Sequence, residues 1–109
     1  MKLNVYEKRK IVKTYTADTY DLMYGTITDI ANVINLDDIK TGSNEEILKL
    51  VVKLLPTGLD SVNSLLKDIF DGLTDEELKH VKVKEIAQVL VDVVVFTYNQ
   101  LRGGDNSKN

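Results

Sequence analysis

The arrangement of apolar residues predicts a mainly α protein of the α+β class, a small bundle of four to five helices with an N-terminal β-hairpin. Three observations lead there. Apolar and polar residues alternate at the start of the chain, apolar residues then recur at three- and four-residue steps, and two Ser/Thr-x-x-Glu boxes mark helix starts. For 109 residues and 12.3 kDa, size scaling gives about 6,100 Å² of folded surface against about 17,800 Å² unfolded. A single domain over residues 1–101 is therefore expected, with the hairpin in 1–17, helices in 18–101 and a disordered tail in 102–109.

Leu3 and Val5 alternate with polar residues, Glu7-Lys8-Arg9-Lys10 forms a charged patch, and Ile11, Val12 and Tyr15 follow among polar neighbours. This reads as a hairpin, although the Asn-Gly or Asp-Gly pair that favours a tight primed turn is absent. Asp18 can cap a first helix over residues 19–34, whose stripe is Tyr20, Met23, Tyr24, Ile27, Ile30, Ala31 and Ile34. Gly25 weakens that helix by about 1 kcal/mol relative to Ala. The pattern breaks from Asn35 to Gly42.

Ser43-Asn44-Glu45-Glu46 is a capping box in which Ser43 and Glu46 each satisfy the other's amide, so the second helix begins there. Its Ile47, Leu48, Leu50, Val51, Val52, Leu54 and Leu55 cover more than half the circumference, and Pro56 ends it. Thr57 and Gly58 lead into a third helix with the stripe Leu59, Val62, Leu65, Leu66, Ile69, Phe70 and Leu73, stopped by Gly72 in the left-handed region. Thr74-Asp75-Glu76-Glu77 is the second box, with Leu73 and Leu78 as a hydrophobic staple, and it opens a short helix from Asp75 to His80. The last segment, Val83 to Leu101, is rich in β-branched residues but too long for a strand. As a helix it shows one face of Ile86, Val89, Leu90, Val93, Val94, Thr97 and Leu101 and a second stripe of Val91, Val95 and Tyr98. Such a helix is either central to the bundle or shared with another chain.

The chemistry available is narrow. No cysteine is present, which removes disulfides, thiolate metal sites and thiol catalysis. A net charge of −3 supplies no positive field for nucleic acid. The apolar run Ile86–Tyr98 contains Asp92 and is shorter than the roughly 20 residues of a spanning helix, so no membrane partner is expected. Residues 1–20 lack the order of a signal peptide, and a cytoplasmic protein is the expectation.

His80 is the single histidine, and at a helix end its charge mainly complements the helix dipole. Asp37-Asp38 reads as a solvated loop and Asp75-Glu76-Glu77 as a negative first turn, neither having the ligand spacing of a calcium loop. No phosphate loop, nucleophile elbow or paired-His zinc motif occurs, so no catalytic residue, cofactor or metal is assigned. Lys8-Arg9-Lys10 could form an anion patch, but with Glu7 beside it the reading as a charged hairpin turn outweighs that. Five tyrosines fit either the core or a partly wet binding surface. What remains is apolar circumference on the second and last helices in excess of what a small bundle readily hides, which points to protein binding.

The strings Met1-Lys-Leu-Asn-Val-Tyr-Glu7, Lys10-Ile-Val-Lys-Thr-Tyr15, Leu66-Lys-Asp-Ile-Phe-Asp-Gly-Leu-Thr-Asp-Glu-Glu-Leu78 and Val83-Lys-Glu-Ile-Ala-Gln-Val-Leu-Val-Asp-Val-Val94 resemble the tail assembly chaperones of long-tailed phages and prophages of Gram-positive bacteria. The resemblance implies a non-catalytic, ATP-independent protein of the host cytoplasm, absent from the mature virion. Its client would be the tape measure protein, its second partner the major tail protein of the tube, with self-association of the chain as a further expectation. A longer frameshifted form would extend from the tail after Leu101. On this reading client contact is expected at Leu48 and Val52 on the second helix and at Val91, Val95 and Tyr98 on the last. Two rivals are a connector retained in the particle and a small metal-dependent enzyme or regulator using His80 and the acidic turn.

Overall fold

The computed structural model describes residues 1–34, 36–56 and 58–100. The expected tail over 102–109 and the Leu101 end of the last helix lie outside them. The described residues form an N-terminal hairpin followed by five α-helices, the predicted architecture.

Strand β1 (Lys2–Glu7) pairs antiparallel with β2 (Lys10–Thr16), setting Leu3 opposite Tyr15 and Tyr6 opposite Ile11. The connection is the two-residue loop Lys8-Arg9, with φ of +51° and +71°. Both residues sit in the left-handed region that a primed turn requires, so two cations occupy positions that favour Asn and Gly. The register slips between Val5 and Tyr6, leaving Val12 as the extra residue of a bulge. Leu3 and Val5 turn inward to the core. On its other edge β1 is covered: the Tyr6 N–H donates to the His80 carbonyl at 2.9 Å, and Val5 bridges to Val81.

Two tyrosines pin the hairpin to the helices. The Tyr6 hydroxyl donates to one Glu85 oxygen at 2.6 Å while the Asn4 N–H donates to the other at 2.8 Å. The Tyr15 hydroxyl donates to Glu77 at 2.6 Å, and Lys13 reaches the same carboxylate at 3.4 Å. A lysine lies over each ring, Lys82 at 4.5 Å from the Tyr6 centroid and Lys13 at 4.7 Å from that of Tyr15. These bonds raise the Tyr6 pKa, chiefly through the Glu85 hydrogen bond, and hold Glu77 below the usual carboxylate range, chiefly through the Tyr15 hydroxyl.

The first predicted helix is interrupted. Asp18 does cap, accepting from the Tyr20 N–H at 3.0 Å, but it closes only a 3₁₀ turn over Thr19–Asp21. Leu22 and Met23 are extended, and α1 runs from Tyr24 to Val33. An Asp side chain bonded two residues ahead stabilises a tight turn as readily as a helix start, and here the turn is the outcome. The break divides the predicted stripe: Ile30 and Ile34 are buried, whereas Tyr20, Met23 and Tyr24 are 85%, 73% and 79% exposed.

A 3₁₀ turn at Leu36–Asp38 precedes α2 (Asn44–Leu54). Ser43 caps α2 through the Glu46 N–H, as the box predicts. The reciprocal half differs. Rather than returning to Ser43, the Glu46 carboxylate accepts from the N–H groups of Lys40, Thr41 and Gly42 at 2.8–3.0 Å and from the Thr41 hydroxyl at 2.9 Å. The loop thereby folds over the helix start. Gly42, at φ +73°, lies so near the Tyr98 ring that an added Cβ would stand 2.8 Å from it.

Helix α3 (Leu59–Ile69) buries Val62, Leu65 and Leu66 and ends earlier than predicted, at an extended Phe70. Gly72, at φ +89°, does not stop the helix but sits in the turn that follows, which the Leu73 N–H closes on the Phe70 carbonyl at 3.1 Å. Helix α4 is Asp75–Leu78, two residues shorter than predicted, with the Thr74–Glu77 box complete and both staple residues Leu73 and Leu78 buried. Helix α5 (Val83–Tyr98) is central, packing on β1, α1 and α2. Buried residues of the hairpin and of all helices join in one core around Phe70, Leu90, Val93 and Val94.

Candidate functional site

An amphipathic helix buries one stripe, so apolar residues beyond the stripe must find a neighbour or face water. In α2, Ile47 and Val51 are fully buried and Leu50, Leu54 and Leu55 pack partly against the core. Leu48 and Val52 lie one turn apart outside that stripe and are 44% and 55% exposed. Their i, i+4 spacing presents a short apolar ridge of the kind that fits the groove of another helix. Leu59, at the start of α3, is also exposed.

The predicted contact residues on α5 fare differently. Val91 is 4% exposed, which corrects its assignment to a partner surface. Because α5 is surrounded by β1, α1 and α2, the core takes the side of it that sequence periodicity leaves over. Val95 and Tyr98 are half-buried and packed on the core. Val95 lines a cleft of about 570 Å³ whose other walls include Thr19, Asn44, Asp92, Phe96 and Asn99, a largely polar setting. Tyr98 covers Gly42.

The surface that sequence reasoning missed is at the approach to α1. Tyr20, Met23 and Tyr24 stand out within five residues of chain, with the Tyr20 ring edge-on to Phe96 at 6.0 Å between centroids. The abundance of tyrosine was the available signal, but it could not separate the pinning residues Tyr6 and Tyr15 from the exposed pair Tyr20 and Tyr24.

His80 is half-exposed, with Nε2 3.7 Å from Glu76, and its carbonyl serves the hairpin. Glu77 is engaged by Tyr15, Thr74 and Lys13. Asp37 and Asp38 are exposed. Among the described residues, no three His, Cys, Asp or Glu gather at metal-binding distances, and no helix is long and apolar enough to cross a membrane. Comparison with protein-family models, with curated proteins and with solved structures finds no match.

Proposed function

We propose that the chain is a non-catalytic tail assembly chaperone that holds the tape measure protein in the host cytoplasm and helps bring tail tube subunits to it. The observation that carries this reading is the apolar ridge of Leu48 and Val52, left on the outside of a helix that turns Ile47 and Val51 to the core. Tyr20, Met23 and Tyr24 supply a second apolar surface, and the sequence resemblance supplies the identity of the client. A long apolar client engaged by many copies gains avidity even where each contact is weak.

Co-expression with the tape measure gene of the same genome tests it. The client is expected to become soluble and to co-purify. A Leu48→Asp, Val52→Asp double variant keeps its far-UV circular dichroism and loses the client, whereas Val91→Asp unfolds, since a buried unpaired charge costs several kcal/mol. A client that stays insoluble with both proteins produced overturns the reading. So do abundant peptides of this chain in purified virions, which would favour a retained connector.

A further inference from the structure

The segments 7–13 and 76–85 hold seven of the fourteen Lys and Arg but four of the seventeen Asp and Glu, a local charge of +3 in a chain of −3. The fold brings these segments together. Tyr6 and Arg9 of the hairpin and Lys79, His80, Val81 and Lys82 of the α4–α5 elbow line one cleft of about 530 Å³. Of the basic run of the hairpin turn, Arg9 thus shares a cleft with Lys79 and Lys82, some seventy residues away, a convergence its balanced local sequence does not suggest. Glu76 pairs with Lys79 at 3.6 Å and with His80 at 3.7 Å, both on the solvated surface. Among the described residues Arg9 and Lys82 make no ion pair, and Glu85 is engaged by Tyr6 and Asn4. The positive end of α5, which starts directly behind Lys82 without a side-chain cap, adds to the field.

We infer that the cleft between the hairpin tip and the start of α5 is a binding site for an acidic polypeptide segment, taking its carboxylates on Arg9 and Lys82. Charge complementarity selects the occupant. The cations sit on long flexible stems along a groove, which suits several carboxylates in succession. The Tyr6 ring lies in the wall, and the exposed Ile11, its cross-strand neighbour, and Val83, next to Lys82, offer apolar contact to interspersed side chains. A long polyphosphate is disfavoured because the rest of the chain carries −6 and repels it. The site lies apart from Leu48 and Val52 in sequence and does not depend on the chaperone reading.

Fluorescence anisotropy of a labelled Glu-rich peptide of about twelve residues with interspersed Leu, added to the full chain, tests the site. Saturable binding is expected, weakened roughly tenfold or more by Arg9→Glu with Lys82→Glu, and weakened as salt rises from about 50 to about 200 mM. Arg9→Gly is the folding control: glycine suits the left-handed turn, so the thermal midpoint holds or rises while peptide binding falls. Absence of saturable binding, binding indifferent to these substitutions, or tighter binding of a thymidine oligonucleotide than of the peptide overturns the proposal. Capture of the tape measure protein is read separately through Leu48 and Val52.

Discussion

Thr97 lies fully buried in α5, and its hydroxyl oxygen has no hydrogen-bond partner among the described residues. A buried donor without a partner forfeits its hydration and gains nothing in return. Thr97→Val keeps the shape and removes the polar atom, so it is expected to raise stability by about 1 kcal/mol, read as a higher urea midpoint with unchanged slope. Gly42 is the opposite case. Its positive φ and the nearby Tyr98 ring leave no room for a side chain, so the loop before α2 and the end of α5 are matched at that one position.

Among the elements, α2 is fastened through Glu46. Its carboxyl is held down to about 2, chiefly by the Lys40 N–H and then by the Thr41 and Gly42 N–H groups and the Thr41 hydroxyl. The folded value lies below the ordinary 4.5, so the ionised form favours the fold. That contribution is complete above the ordinary value and is lost as pH falls toward about 2. Glu46→Gln is therefore expected to melt earlier than the native chain at pH 7, with the gap closing through that acid window, as thermal melts across pH will show. The start of α2 is held by the loop, and its inner stripe of Ile47 and Val51 faces the core while Leu48 and Val52 stay outside.

Taken as one body, the protein joins hairpin and helices in a continuous core, with Leu3, Val5 and Tyr15 contributing beside Phe70 and the valines of α5. Two Tyr–Glu bonds and the covered edge of β1 reinforce the joint. Thermal unfolding followed by far-UV circular dichroism and by tyrosine fluorescence is expected to give coincident single transitions. An earlier fluorescence transition would show the hairpin parting from the helices as an independent unit. The same joint creates the charge asymmetry, because the hairpin turn is carried onto the α4–α5 elbow, while the carboxylates elsewhere keep the remaining surface acidic.

The places of α2, α3 and α5, the Ser43 and Thr74 caps and the choice of helix for the valine-rich segment were legible along the chain, because each rests on interactions within about four residues. The apolar ridge at Leu48 and Val52 was legible for the same reason: α2 has more greasy positions than one stripe can hold. Three-dimensional packing settled the rest. Which stripe of α5 is core depended on how many neighbours surround it, and periodicity counts faces without counting neighbours, hence the burial of Val91. The break before α1 turned on a competition between an Asp-closed turn and a helix start that differ by little locally. The meeting of Arg9 with Lys82 required two segments distant in the chain to share a strand edge, and no local rule carries that information.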